Sequence, residues 1–307
     1  MLELNKAHLG DWVENSKKVG DGQINCVMTS PPYYALRDYG VDGQLGLEDT
    51  PDEFIENLCD GFLEIKRILR DDGSCWVNLG DTYAGSSYYF SETRKKKDFK
   101  EFARPKSQML MPHRFAIGMV ERGWILRNTI IWHKTNPMPE SAKDRFTNDF
   151  EYLFFFVKSP QYYYKKQYEP ILQSSLDRAK FGWHGKDGTT DNFKDYDKKK
   201  HAPKRNTPKK TEKMGTRWAD PKGRNMRTTW TINTEGFKDH HATYPREVCR
   251  RPIRSSCPRD GIVLDPFLGS GTTAVVAQEL GRRWLGFELN PDYLKIAESR
   301  TAQRGLL

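Results

Sequence analysis

The chain has 307 residues, 36% of them hydrophobic, and a formal net charge of +9. This length predicts about two domains with a sizeable core. No apolar run approaches the ~18 residues that a membrane span needs. The charged residues after Met1 precede no apolar run, so we expect neither a signal peptide nor a membrane partner.

The cysteines and histidines predict no metal site. The five cysteines are odd in number and form no C-x-x-C pair. We therefore expect no zinc ion and no disulfide framework, and we predict a cytoplasmic protein with reduced thiols. His240 and His241 are adjacent, but no carboxylate or cysteine follows at a ligand spacing.

The first strong pattern is the apolar segment Ile24–Met28, which predicts a buried strand. It runs into a loop of hydroxyl, proline and aromatic residues: Thr29, Ser30, Pro31, Pro32 and Tyr33. Because the prolines cannot continue a sheet, the strand ends there. Ligands bind at such strand ends in open α/β sheets. Taken alone, the loop is equally consistent with a plain proline turn.

Alternating helix and strand patterns follow. Apolar residues at helical spacing predict a helix over Pro51–Leu69, capped by Thr50 or Asp52. Four further elements are predicted from apolar runs and stop signals: a strand over Ser74–Leu79, a helix over Pro112–Arg122, and a pair of strands over Ile125–Trp132 and Glu151–Val157. This alternation is typical of a doubly wound α/β fold.

The positive charge is concentrated in one segment, Lys194–Arg227. It contains 13 Lys or Arg and 4 Asp or Glu, so it accounts for the whole net charge of +9. Few aliphatic residues occur in it. The composition indicates either a surface that binds phosphates or a solvated loop.

A second strand-and-turn unit lies near the other end of the chain. A helix over Arg246–Ser255 precedes the strand that ends at Asp265, and the turn contains Gly269 and Gly271. Glycines let a backbone approach a ligand closely. Glu288 follows about 20 residues later, a spacing typical of a carboxylate that binds ribose hydroxyls. The strand-end carboxylate Asp265 suits a cationic ligand better than a pyrophosphate, which disfavours a nicotinamide dinucleotide.

Together, the Thr29–Tyr33 loop and the Asp-Pro-Phe-Leu-Gly-Ser-Gly-Thr-Thr turn resemble the S-adenosylmethionine-dependent amino-methyltransferases of DNA. Their order resembles the β group of that family, whose Rossmann-like fold is circularly permuted. The resemblance covers roughly residues 20–165 and 235–300. It implies a mostly parallel sheet with an antiparallel terminal hairpin. It also implies a catalytic half in 1–165, a basic target recognition region in 166–232 and a cofactor half in 233–307.

The resemblance implies that S-adenosylmethionine is the cofactor. The residues implied to bind it are Thr29, His241, Tyr244, Asp265, Phe267, Gly269, Ser270, Gly271, Thr272, Glu288 and Asn290. His241 and Tyr244 are also explained as residues that shape the start of the following helix.

DNA is the implied partner, and the catalytic residues are Ser30, Pro31, Pro32 and Tyr33. We predict that the Ser30 hydroxyl and the Pro31 carbonyl accept hydrogen bonds from an exocyclic amine while Tyr33 stacks on the base. The base is flipped or single-stranded. In-line positioning supplies much of the acceleration, the proton leaves late, and no general base is assigned.

Further substrate contacts are predicted outside the catalytic loop: Asp81, Tyr83, Asn136, Arg205, Arg217, Arg224 and Arg227. Asp81 is equally explained as a turn former or helix cap. The basic run Arg94–Lys106 is either an arm that closes over DNA or a tether without fixed structure.

The serine form of the catalytic motif most resembles enzymes that methylate N4 of cytosine, and adenine N6 is the alternative. Cytosine C5 methylation needs a Pro-Cys pair, whereas Cys257-Pro258 has the reversed order. An inactive DNA-binding protein and an RNA methyltransferase stay open. The oligomeric state, monomer or homodimer, also stays open. So does the role, in restriction-modification, a phage or a host regulatory circuit, within a bacterial, archaeal or phage-infected cell.

Overall fold

The computed structural model describes residues 2–84, 102–171, 223–235 and 244–302. The chain separates into two compact units. One unit comprises Met1–Lys165 with Thr228–Leu307, and the other is Lys166–Arg227. The functional division of the chain at residues 165 and 232 stays a prediction.

The described residues form ten strands. They are β1 (Lys6–Leu9), β2 (Ile24–Thr29), β3 (Leu69–Leu79), β4 (Ile125–His133), β5 (Phe150–Val157), β6 (Tyr168–Glu169), β7 (Arg224–Asn225), β8 (Thr229–Thr231), β9 (Ile262–Asp265) and β10 (Arg283–Glu288). The helices are α1 (Trp12–Lys17), α2 (Pro51–Ile68), α3 (Met111–Glu121), α4 (Arg246–Ser256), α5 (Thr272–Glu279) and α6 (Pro291–Ala302).

The large unit is built on an eight-stranded sheet with the order β1-β10-β9-β2-β3-β5-β4-β8. The five strands from β1 to β3 in this order are parallel. From β2 the chain proceeds outward to β3, whereas from β9 it proceeds the opposite way to β10. The boundary between β2 and β9 is therefore the switch point of the sheet, where a crevice opens at the carboxyl ends.

The antiparallel hairpin of β4 and β5 is confirmed, with Trp132 opposite Glu151. Strand β5 also pairs antiparallel with β3. The short strand β8, which no sequence pattern predicted, pairs parallel with β4 beyond the hairpin. These pairings place the start of β5 beside the carboxyl ends of β3 and β4.

Helices cover the sheet on both faces, as the alternation of side chains along β3 shows. Cys75 and Val77 join the apolar cluster that contains α2 and α3 side chains. Trp76 faces the other way, where its indole N–H donates to Ser256 of α4 at 3.0 Å. The predicted Rossmann-like α/β fold with a mostly parallel sheet is confirmed.

The predicted helices are present with small shifts at their ends. Helix α2 ends at Ile68, and Thr50, rather than Asp52, caps it by accepting a hydrogen bond from the Glu53 N–H at 3.0 Å. Helix α3 begins at Met111. Within the described residues, no helix combines the length and apolar character that crossing a membrane requires.

The described part of the smaller unit is an antiparallel pair, β6 with β7. Glu169 of β6 pairs with two arginines. Its Oε1 lies 2.8 Å from Arg224 Nε and 2.9 Å from Arg227 Nε.

Candidate active site

A buried carboxylate joins the two central strands at the switch point. Asp265, at the end of β9, accepts hydrogen bonds from Thr29 Oγ1 at 2.6 Å, from Thr273 Oγ1 at 2.7 Å and from the Tyr244 hydroxyl at 3.0 Å. The Phe267 N–H donates a fourth bond at 3.1 Å. Burial raises the pKa of Asp265, and these donors oppose the rise. The network ties the end of β2 to the turn after β9 and to the approach to α4.

A cavity that is open to solvent lies at this point. Nine predicted site residues line it: Ser30, Pro32, Tyr244, Phe267, Gly269, Ser270, Thr272, Glu288 and Asn290. Asp265 is 1% exposed and Thr29 is fully buried, and both lie behind the wall. Gly271 is buried too, against Ala297 of α6. Cofactor binding by these three residues stays a prediction, and from these positions it would be indirect.

Glu288 extends from the end of β10 into the cavity. Its Oε2 accepts the Gly269 N–H at 2.7 Å, and its Oε1 accepts the Asn290 N–H at 2.8 Å. Burial raises the pKa of Glu288, and the two backbone donors oppose the rise. Asn290 accepts the Asp292 N–H at 2.9 Å and so caps α6. The glycine turn and the strand-end carboxylate are thus bonded to each other at the cavity. Ribose binding by Glu288, which their spacing predicts, stays a prediction.

The segment between β1 and α1 also lines the cavity, although no sequence pattern assigned it a role. Asp11 caps α1 by accepting the Val13 and Glu14 N–H groups, each at 2.9 Å. The Trp12 ring lies 4.7 Å from the Phe267 ring, centroid to centroid. The signal that predicts this helix start is an acidic cap with a glutamate three residues later.

The loop after β2 forms another wall. It follows the catalytic motif and contributes Tyr39, Val41, Gly43, Gln44 and Leu45. The Tyr39 ring meets the Tyr293 ring of α6 edge to face, with centroids 6.2 Å apart. These side chains make the cavity largely apolar and aromatic, with polar groups at its sheet edge.

The catalytic motif turns from the cavity toward β3 and β5. The Tyr33 hydroxyl donates to Glu151 Oε2 at 2.6 Å. A Cβ on Gly80 would lie 2.7 Å from the Tyr33 ring, so only glycine admits the ring there. Burial and the Glu151 charge raise the pKa of Tyr33 well above its usual value. Pro31 is buried beneath the loop.

Asp81 follows β3 and caps the start of α3, although the two are about 30 residues apart in sequence. Its Oδ1 accepts the Met111 N–H at 3.0 Å, and its Oδ2 accepts the Leu110 N–H at 3.1 Å. Burial raises the pKa of Asp81, and these N–H donors oppose the rise. The helix-cap explanation is confirmed, and contact with a base stays a prediction.

Tyr83 and Asn136 are not among the residues that line the cavity. The Tyr83 hydroxyl donates to Asn148 at 3.3 Å, and the Arg145 guanidinium lies 4.1 Å from the centre of its ring. Asn136 is exposed and accepts the Thr234 N–H at 3.0 Å. Their base contacts stay predictions.

Some predicted residues lie outside the described residues. These include His241, Arg205 and Arg217, most of Arg94–Lys106, and all of Lys194–Arg227 except its last five residues. Arg224 and Arg227 are described, and both pair with Glu169. Among the described residues, no group of three or more His, Cys, Asp or Glu side chains is arranged to hold a metal ion.

A cavity at the switch point of a permuted Rossmann-like sheet, with a carboxylate ending the adjacent strand, defines a class of proteins that bind an adenosine-type cofactor. Residues 24–299 match the family model described as DNA methylase. The chain therefore belongs to this family of DNA amino-methyltransferases, which act on cytosine N4 or adenine N6 and use S-adenosylmethionine. The resemblance predicted from the two motifs is confirmed.

Curated relatives are similar along nearly the whole chain. The chain is 37% identical to the Type II methyltransferase M.Cfr9I of Citrobacter freundii, covering 97% of this chain and 89% of that protein. It is 35% identical to the Type II methyltransferase M.SmaI of Serratia marcescens, covering 97% and 91%.

Solved structures share the fold. PvuII DNA methyltransferase, described as cytosine-N4-specific, has a TM-score of 0.61 against this chain, with 18% identity over 96% of this chain and 85% of that one. M1.HpyAVI in complex with SAM has a TM-score of 0.52, with 16% identity over 96% and 98%.

The cavity residues fit S-adenosylmethionine. An adenosine carries a flat apolar base and a vicinal diol, which require apolar walls and a hydrogen-bond acceptor. Phe267, Tyr39 and Tyr293 supply aromatic walls, and Glu288 is a carboxylate acceptor on the same cavity. Asp11 is a second carboxylate on the cavity and suits a ligand that bears an ammonium group.

Proposed function

We propose that this protein methylates the exocyclic N4 of cytosine within a specific DNA sequence, as the modification enzyme of a restriction-modification system. One observation carries the choice of reaction centre: Ser30 of the catalytic motif lines the same cavity as Phe267 and Glu288. The serine form of the motif and the fold shared with a cytosine-N4-specific enzyme support the choice of base. The Type II relatives support the biological role, in the cytoplasm.

Different residues of the cavity bind different parts of the cofactor. Glu288 accepts hydrogen bonds from the ribose hydroxyls, and Phe267 and Tyr39 contact the adenine. Asp265 acts indirectly, because its four donors fix the turn that carries Phe267 and Gly269. When bound, S-adenosylmethionine supplies a methyl group on a sulfonium, which needs no enzyme nucleophile.

The catalytic loop prepares the amine. Ser30 Oγ and the Pro31 carbonyl accept its two N–H groups and draw the nitrogen lone pair out of conjugation with the ring. Tyr33, fixed by Glu151 and Gly80, packs beside the base. Holding the nitrogen and the methyl group in line supplies much of the rate acceleration.

Adenine N6 is the second candidate, because the family includes enzymes for both bases and the exocyclic amine presents the same two N–H groups. The described residues contain no contact that separates a pyrimidine from a purine. The choice between the bases therefore rests on the serine form of the motif.

The test is nucleoside mass spectrometry of duplex DNA incubated with the protein and methyl-labelled S-adenosylmethionine. We expect labelled N4-methylcytosine. Labelled N6-methyladenine would replace the cytosine assignment, and label in RNA alone would overturn DNA as the substrate. Ser30→Ala is the matched control, because it should retain cofactor affinity by calorimetry while losing most of the label.

A further inference from the structure

An arginine of α6 holds the turn before α5. Arg300 Nη1 donates to the Ser270 carbonyl at 2.6 Å and to Ser270 Oγ at 2.7 Å. Thr272 Oγ1 lies 3.4 Å from the same nitrogen. Ser270 and Thr272 line the cavity, whereas Arg300 is not among the lining residues. A guanidinium charge therefore lies directly behind this part of the cavity wall.

The direction of these bonds leaves one hydroxyl proton without an acceptor. A guanidinium only donates, so Ser270 Oγ is the acceptor of its bond with Arg300. Within the residues that the structure describes, the hydroxyl proton of Ser270 meets no acceptor, although the residue is only 3% exposed. An unsatisfied buried donor costs free energy. A ligand group in the cavity that accepts a hydrogen bond would remove this cost.

The start of α5 adds positive potential at the same place. Gly271 precedes the helix with a φ of 82°, and no described side chain caps the helix start. Thr272 is the first helical residue, so its N–H is one of the donors that have no partner inside the helix. The helix dipole places partial positive charge at this end. The Ser270 hydroxyl, the helix start and the Arg300 charge therefore all favour an anionic ligand group.

The charges on the cavity wall do not suit every part of the cofactor. S-adenosylmethionine carries a sulfonium, an ammonium and a carboxylate. Among the described residues that line the cavity, the charged side chains are Asp11 and Glu288, and no lysine or arginine occurs. Two carboxylates suit the cationic groups and the ribose hydroxyls, but they repel the carboxylate of the cofactor. A positive charge for that carboxylate must lie behind the wall, and Arg300 provides one in contact with Ser270.

We propose that Arg300 is a positioning residue for the carboxylate of S-adenosylmethionine. Its guanidinium holds Ser270 Oγ as an acceptor, so the Ser270 hydroxyl donates to the cofactor carboxylate. Its positive charge stabilises the same carboxylate across the turn. The proposal rests on the cofactor assignment made above and deepens it, and it does not depend on whether the target base is cytosine or adenine.

The test compares two ligands that differ only in this carboxylate: S-adenosylmethionine and decarboxylated S-adenosylmethionine. Calorimetry without DNA measures the affinity of the wild type, Arg300→Gln, Ser270→Ala and the double variant for each ligand. Both single variants should bind S-adenosylmethionine about tenfold more weakly, the scale of one hydrogen bond to a charged group. Their affinity for the decarboxylated ligand should stay within about twofold of the wild type. Because Arg300 acts through Ser270, the double variant should lose less than the product of the two single losses.

Arg250→Gln is the matched control. The Arg250 side chain of α4 is 22% exposed and pairs with Glu279 at 2.5 Å, and Arg250 is not among the residues that line the cavity. Its change should leave both affinities within about twofold of the wild type. Arg300→Lys keeps the charge without the guanidinium fork, so it should recover part of the loss. If Arg300→Gln does not fold, it binds neither ligand, and Ser270→Ala with Arg300→Lys decides the question.

The outcomes separate the proposal from the cofactor assignment. Equal losses for the two ligands would overturn the proposal, because Arg300 would then only support the turn. A wild type that binds both ligands equally tightly would also overturn it, while the cofactor assignment would stand. A wild type that binds neither ligand would overturn the cofactor assignment and the proposal together.

Discussion

Asp265 lies where the catalytic strand β2 and the cofactor strand β9 meet, with four donors on one carboxylate. Asp265→Ala would leave the buried hydroxyls of Thr29, Thr273 and Tyr244 without this acceptor. We expect a loss of about 3 kcal/mol in the free energy of unfolding, since an unsatisfied buried group costs about 1–3 kcal/mol. Denaturant unfolding and calorimetry measure stability and cofactor affinity. Reduced affinity at full stability would instead indicate that Asp265 touches the cofactor directly.

The raised pKa of Asp265 predicts a direction for stability against pH. The folded state holds this proton more tightly than the unfolded state, whose ordinary value is 3.8. The contribution that protonated Asp265 makes to the free energy of unfolding is therefore complete below the pKa of the unfolded state. It is lost as the pH rises through the pKa of the folded state. We expect the stability of the wild type minus that of Asp265→Asn to fall from about pH 4 upward. Unfolding curves across pH measure this difference, and a rise would contradict the assignment.

The two carboxylates on either side of the catalytic loop differ in how far sequence could predict them. Glu288 follows a glycine turn at a recognisable spacing, so its place on the cavity was predicted. Glu151 is the second residue of the strongly apolar strand β5, and its partner Tyr33 is 118 residues away. Only the antiparallel pairing of β5 with β3 brings them together, and a local pattern contains no information on that register.

At the scale of elements, length decided what the sequence could predict. Helix α2, with 18 residues, has a clear apolar stripe and a recognisable cap. Strand β1 has four residues, α1 has six and β8 has three, too few for a period to stand out. The β1–α1 segment, which was not predicted, contributes Asp11 and Trp12 to the cavity. The predicted site was therefore incomplete for the same reason as the predicted fold, namely that these elements are short.

The contact between α1 and α2 gives a prediction at this scale. A Cβ on Gly61 of α2 would lie 2.2 Å from the Trp12 ring. Gly61→Ala should therefore destabilise the protein by about 1–3 kcal/mol through overpacking, although alanine favours a helix. Because Trp12 packs on Phe267, cofactor affinity should fall as well.

Denaturant unfolding measures the Gly61→Ala effect against a control on the same helix. Asn57 is exposed on α2, so Asn57→Ala raises helix propensity without a clash and should be neutral or slightly stabilising. Adding Trp12→Phe to Gly61→Ala removes the obstructing ring atoms and should recover part of the stability. Equal stability of the Gly61→Ala and Asn57→Ala variants would contradict the prediction, because α1 would then move away from α2 without any loss of stability.

At the scale of the whole molecule, charge and catalysis are distributed differently along the chain. The motif blocks that form the cavity lie in the large unit, while Lys194–Arg227 holds the full net charge of +9. A duplex presents a dense row of phosphates, and cations that neutralise them release counterions. We therefore expect this segment to set the affinity for DNA and the large unit to set the reaction.

The salt dependence of binding tests this separation. Changing Lys198, Lys199 and Lys200 to Gln should weaken DNA binding. The slope of the logarithm of the association constant against log salt should become less steep by about 0.9 for each phosphate that the variant no longer neutralises. Changing Lys6, Lys17 and Lys295 to Gln removes the same charge from exposed ion pairs of the large unit. Fluorescence anisotropy on a labelled duplex at several salt concentrations measures both slopes. Equal slopes for the two triple variants would show that net charge, rather than this segment, determines the binding.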